Sequence, residues 1–78
     1  MPRSTETPEW VRSRRRAVGE QIRATRLRAN LTQEAVALRI GMDRATYNRI
    51  EQGHASPLLD TLILIADALD VPLAELVR

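Results

Sequence analysis

The fold turns on one stretch, Gln33-Glu34-Ala35-Val36-Ala37-Leu38-Arg39-Ile40-Gly41-Met42-Asp43-Arg44-Ala45-Thr46-Tyr47-Asn48-Arg49-Ile50-Glu51-Gln52. Val36, Ala37 and Ile40 recur at i, i+1 and i+4, which puts them on one helical face. Thr32 precedes them as an N-cap whose hydroxyl can accept from an orphan amide, and Glu34 places a negative charge in the first turn. Gly41 can take the left-handed conformation that ends a helix. Asp43 then opens a second helix, with Tyr47 and Ile50 turned inward and Gly53 at its end. Ala37 is small enough for the second helix to cross close by. Two short helices joined by a turn with glycine read as a helix-turn-helix, whose second helix can enter the major groove of DNA. The spacing alone also fits a generic helical hairpin.

The second helix would turn Arg44, Ala45, Asn48, Arg49 and Thr46 outward. Arg and Asn make the bidentate hydrogen bonds that distinguish guanine and adenine, and Ala or the Thr methyl can touch a thymine methyl.

The segment Ile22–Val77 resembles the Cro/lambda-repressor-like helix-turn-helix family, also called the xenobiotic-response-element family. The resemblance is carried by Ile22-Arg23, Arg26, Leu31-Thr32-Gln33-Glu34, Ala37, Gly41, Tyr47, Ile50-Glu51-Gln52-Gly53, Ser56-Pro57, Leu62, Ala66 and Leu69, and spans about seven tenths of the chain. It implies an all-α, compact five-helix domain that binds operator DNA, commonly as a dimer. It also implies that Gln33 touches phosphate and braces the recognition helix. Arg44, Ala45 and Arg49 would face bases, with Thr46 and Asn48 close to bases or backbone. Thr32, and His54 where the family has backbone-contacting loops, complete the expected contact set. Arg26 would pair with Glu51 and tie the first helix to the recognition helix; otherwise the two are solvated surface charges.

Three positions depart from the family pattern. Tyr47 stands where Ile or Val is usual, and its ring can fill the core with the hydroxyl reaching the surface near a phosphate. Ala45 replaces a longer polar residue and should weaken readout at its base. Asp70 replaces a frequent glycine, and Asp tolerates the left-handed region better than most residues.

Outside the motif, residues 1–7 read as a disordered tail and 8–78 as the domain. Thr7-Pro8-Glu9 is a helix-start signal. A long first helix is expected from Pro8 to about Asn30, with Val11, Val18, Ile22 and Leu27 on its apolar side. Gly19 weakens it, so two helices with a break there remain open. Ser56-Pro57 opens a fourth helix with Leu59, Leu62, Ile65, Ala66 and Leu69 inward. Val71, Leu73, Leu76 and Val77 belong to a last short helix beginning near Pro72.

With 78 residues there is room for one core, and a chain this size buries only about 60–65% of its unfolded surface. That core is built without Phe and with Trp10 and Tyr47 as its sole aromatics. The absence of cysteine excludes disulfides and thiolate metal sites. No apolar run approaches the ~20 residues needed to cross a membrane, and no hydrophobic signal segment opens the chain, so a cytoplasmic protein is expected. No nucleophile–base pairing, glycine-rich phosphate loop or metal-ligand spacing is present. Neither an enzyme nor a cofactor is expected.

Net charge is +2, unevenly spread. Residues 1–49 hold eleven Arg against five acids; residues 50–78 hold one Arg against five acids. Such polarity suits a protein that presents one end to phosphate, or is ordinary surface variation. Arg12-Ser13-Arg14-Arg15-Arg16 is either a phosphate-binding arm or a solvated helix face.

Leu58, Ile63 and Leu64 look surplus to the core face of the fourth helix. Clustered exposed apolar residues point to a partner surface, here a homodimer interface of Leu58, Ile63, Leu64 and Leu76; alternatively one or two of them pack under Trp10. Two function classes follow. One is a transcriptional regulator, a repressor acting on double-stranded operator DNA through the helix 43–52. The other is an antitoxin-type interaction protein whose main partner is another protein, docked through the N-terminal helix with Trp10 and Val11.

Overall fold

A computed structural model describes residues 7–78, which form five α-helices and no strand: α1 (Glu9–Arg28), α2 (Gln33–Ile40), α3 (Arg44–Glu51), α4 (Leu59–Ala68) and α5 (Ala74–Val77). The tail expected at 1–7 lies outside the described residues except for Thr7, whose carbonyl accepts from Arg12 Nη1 at 2.8 Å.

The first four helices end alike. At Asn30, Gly41, Gly53 and Asp70 the backbone turns to positive φ (59°, 72°, 76° and 58°). Each carries the paired backbone bonds of a Schellman turn. Met42 N–H reaches the Ala37 carbonyl and Gly41 N–H that of Leu38. The same pattern recurs from Leu31 to Arg26, from His54 to Arg49 and from Val71 to Ala66. Asp and Asn adopt this conformation here through their short polar side chains.

α1 runs unbroken through Gly19, so the alternative of two helices is excluded. The glycine is there for packing. A Cβ on it would lie 2.4 Å from the Glu51 carbonyl oxygen and 2.7 Å from that of Ile50. α1 therefore crosses the end of α3 backbone against backbone, a contact only glycine permits. Gly53 completes the crossing, since a Cβ there would meet Arg16 Cα at 2.7 Å.

α1 packs on α3 and α5, and α2 packs on α3 and α4. The core between them is Ile22, Val36, Ala37, Tyr47, Ile50, Ile65, Ala66, Leu69 and Leu76. Leu76 is fully buried in it. It is therefore a core residue and is not available to the dimer interface expected of it together with Leu58, Ile63 and Leu64. Leu59, expected inward, is 61% exposed, and Leu27 is largely exposed too. Helical periodicity locates an apolar stripe but not its edges, and both leucines fall just outside. The last helix starts two residues after Pro72, at Ala74. Among the described residues no helix is long and apolar enough to cross a membrane.

Candidate nucleic-acid interface

The two helices of the motif are capped by side chains. Thr32 Oγ1 accepts from Ala35 N–H at 3.0 Å, and Asp43 Oδ2 accepts from Thr46 N–H at 3.0 Å while its Oδ1 accepts from the Thr46 hydroxyl at 2.7 Å. Those bonds hold the exposed Asp43 carboxyl below its ordinary range, the Thr46 side chain first and the backbone amide second. Thr46 thus belongs to the cap of α3, with its amide and its hydroxyl proton both given to Asp43.

One side of α3 is buried: Tyr47, Ile50 and Glu51. The opposite side carries Arg44, Ala45 and Arg49 to solvent, with Asn48 half-buried between. Gln33, at the start of α2, joins Arg44, Ala45 and Asn48 in lining an open cleft of about 450 Å³. Among the described residues Arg44 and Arg49 have no side-chain partner. His54 is exposed immediately after α3, its backbone N–H engaged by the Arg49 carbonyl.

Beneath this face lies a closed polar network. Arg26 grips Glu51 with two parallel bonds, Nε to Oε2 at 2.7 Å and Nη2 to Oε1 at 3.1 Å. Its Nη1 reaches the Leu31 carbonyl at 2.9 Å. Glu51 accepts further from the Tyr47 hydroxyl at 2.5 Å and from Gln33 Nε2 at 3.0 Å. Gln33 Nε2 also donates to Asn48 Oδ1 at 2.9 Å. No buried side-chain polar atom among the described residues is left without a partner. Burial alone would push the Glu51 carboxyl up. The bonds from Arg26, Tyr47 and Gln33 outweigh it and hold the group below its ordinary 4.5. Burial, reinforced by the bond to Glu51, pushes the Tyr47 hydroxyl far up, so it stays a donor.

Tyr47 therefore differs from expectation. Its hydroxyl does not reach the surface near a phosphate but turns inward onto Glu51. Its ring does fill the core, fully buried. The arginines between 12 and 16 likewise form no arm, because all lie on α1. Arg12 and Arg16 pair with Glu9 at 2.8 and 3.1 Å. Arg15 Nε donates to the Gly53 carbonyl at 3.0 Å, at the end of α3. A cation there complements the negative end of the helix dipole. Arg39 does the same for α4 through the Ala68 carbonyl at 3.0 Å. Sequence inspection missed these roles because nothing in a run of arginines tells which ones face a carbonyl across the fold.

Leu58, Ile63 and Leu64 are exposed, joined by Leu59. None of them is covered by Trp10, itself 70% exposed near the start of α1. Among the described residues no group of three His, Asp or Glu is placed to hold a metal.

This arrangement of a capped helix pair, a polar outer face on α3 and an ion pair locking α3 to α1 defines a helix-turn-helix domain. A helix-turn-helix family model matches residues 22–76, and the chain belongs to that family, of the Cro/C1 type. Its relatives include two transcriptional repressors of the cryptic phage CTXphi, both named RstR, from Vibrio cholerae. One is 44% identical over 57 residues, covering 73% of this chain and 51% of the relative. The other, from a serotype O1 strain, is 34% identical over 59 residues, covering 76% and 53%. The chain thus spans about half the length of the curated relatives it matches. In three dimensions it is similar to the restriction-modification controller protein C.AhdI from Aeromonas hydrophila, with a TM-score of 0.80 and 30% identity over 82% of this chain and 97% of that one. It is also similar to the hypothetical transcription factor NHTF from Neisseria, with a TM-score of 0.77 and 26% identity over 100% and 86%.

Proposed function

We propose that this chain is a sequence-specific DNA-binding transcriptional repressor, which lays α3 in the major groove of an operator. The observation that carries the reading is the two-sided character of α3. Its inner side is locked by Tyr47, Ile50 and Glu51, and its outer side presents Arg44, Ala45, Asn48 and Arg49 from a rigid base. Side chains of these types, held on a rigid element in the major groove, read base edges. The two repressor relatives support the repressor role, and the controller protein supports a regulatory one. In this reading Thr32 and His54 lie at the flanking backbone, and the chain performs no chemical step and needs no cofactor.

A homodimer joined through Leu58, Leu59, Ile63 and Leu64 completes the proposal, acting in the cytoplasm. The support is four exposed apolar residues spread from the N-cap to the middle of α4 in a small domain. Trp10, exposed in the first turn of α1, favours a second reading in which another protein docks there. Selection of bound sites from random and genomic DNA tests the first reading. Co-purification of a second small chain, lost in Trp10→Ala, tests the second.

A further inference from the structure

Two helix faces have no partner inside the domain, and they carry opposite charge. On α1, Trp10, Ser13, Arg14 and Ala17 recur at i, i+3, i+4 and i+7, so they share one face, and all four are exposed. Arg14 has no side-chain partner among the described residues. On α4, Leu59, Asp60, Ile63, Leu64 and Asp67 likewise share a face and are all exposed. Asp60 and Asp67 each lie one turn from both Ile63 and Leu64, so two carboxylates sit among large apolar side chains. Neither has a side-chain partner among the described residues. Arg39, at the end of α4, bonds the Ala68 carbonyl instead.

Pairing α4 with itself across a two-fold axis would bring four carboxylates together, and like charges in contact are costly. The face of α1 offers what α4 lacks. It has an unpaired guanidinium and a large aromatic ring, with small Ser13 and Ala17 beside them where a leucine can seat. Trp and Arg are also the side chains that most often carry an interface. The faces match in length, since Trp10 to Ala17 and Leu59 to Asp67 each run about 10–12 Å along their helices. α5 packs on both α1 and α4, and Gln21, one turn after Ala17, bonds the Glu75 carbonyl of α5. A two-fold axis beside α5 therefore lets the contact form twice. We infer that the first two turns of α1 of one copy dock on the outer face of α4 of a second copy, Arg14 against Asp60 and Asp67, and Trp10 against Leu59, Ile63 and Leu64. Gly19, which abuts the end of α3, lies on the opposite side of α1 from Ala17, so the outer face of α3 stays free. This inference rests on the homodimer proposed above and names the faces that join it.

The test is the mass of the chain by light scattering across a dilution series, with the emission of Trp10, the only tryptophan, read on the same samples. The wild type should reach twice its 8.8 kDa, and its emission should shift to the red on dilution as the indole enters water. Arg14→Glu should raise the dimer dissociation constant by about tenfold or more, as for close charge pairs across an interface. Asp60→Arg combined with Asp67→Arg should do the same. Mixed in equal amounts, the two variants should recover the wild-type mass, because each then meets the opposite charge on the other copy. If the aspartate variant does not fold, judged by circular dichroism, Arg14→Glu and the Trp10 emission decide. A dimer whose mass Arg14→Glu leaves unchanged, and whose emission does not move on dilution, overturns this inference and leaves a homodimer joined by other faces. Failure of the mixture to recover, with both variants folded, overturns it too. A wild type that stays monomeric overturns both the inference and the homodimer, and leaves the Trp10 face to a different protein.

Discussion

The carbonyl oxygen of Glu51 lies so close to Gly19 that a Cβ on that residue would stand only 2.4 Å from it. Glu51 is thus held at both ends, its backbone against Gly19 of α1 and its side chain by Arg26 of the same helix. α3 has little freedom to move relative to α1, which is what a rigid recognition element requires.

Gly19→Ala should therefore destabilise the domain although alanine is the better helix former by about 0.5–1 kcal/mol. Forcing a methyl into a packed contact typically costs about 1–3 kcal/mol. Urea unfolding of the variant measures the loss. The same substitution in an isolated α1 peptide should raise helicity, which separates packing from propensity. An unchanged or higher midpoint in the domain would show that α1 and α3 do not touch at Gly19.

Removing one partner of a buried ion pair costs about 3–5 kcal/mol, against ~0–1 kcal/mol for an exposed one. Glu51→Ala should fall in the first range, since both side chains are almost fully enclosed. Tyr47→Phe deletes one of the donors to the same carboxylate and should cost about 1.5–3 kcal/mol, as for hydrogen bonds to charged groups. A change below about 0.5 kcal/mol in Glu51→Ala, read from denaturant midpoints, would place the pair in water.

The same pair sets a pH dependence. The folded-state Glu51 carboxyl titrates below its ordinary 4.5, so the unfolded chain binds its proton first. The stability it contributes is fully present above pH 4.5 and is lost as pH falls through the folded value. Wild-type stability should fall below pH 4.5 more steeply than that of Glu51→Gln. Parallel curves for the two would remove Glu51 from the acid transition.

Much of this was legible in the sequence for identifiable reasons. Thr32, Gly41 and Asp43 act through bonds to backbone a few residues away, and such local chemistry is written in order along the chain. The core face of α3 followed from the spacing of Tyr47 and Ile50. What depended on distant neighbours was not legible. Leu76 is sealed beneath α1 and Leu59 is left outside, a difference that periodicity cannot supply in helices this short. The direction of the Tyr47 hydroxyl depends on Glu51 one turn later. The positive charge of the first half is also partly structural, because Arg15, Arg26 and Arg39 bond carbonyls within the fold. Arg14, Arg23, Arg44 and Arg49 have no such partner among the described residues.

Leu64→Glu tests the assembly. A two-fold dimer would set the recognition helices roughly 34 Å apart and call for a near-palindromic operator. The variant should split the dimer without unfolding the domain, and should weaken operator binding because two half-sites are no longer engaged as one unit. A monomer mass for the wild type by light scattering at tens of micromolar, with operator affinity unchanged in Leu64→Glu, would rule out this surface.

The most direct measurement is the ratio of affinities for a selected site and for random DNA at about 0.15 M salt. Specific binding should give a Kd on the order of 10⁻⁸–10⁻¹¹ M, at least ~10³-fold tighter than random DNA, and falling steeply as salt rises. Arg44→Ala should lose about 1–3 kcal/mol at one operator position and little elsewhere. Selected sites that bind no tighter than random sequence would contradict the assignment of α3 as a reader of DNA.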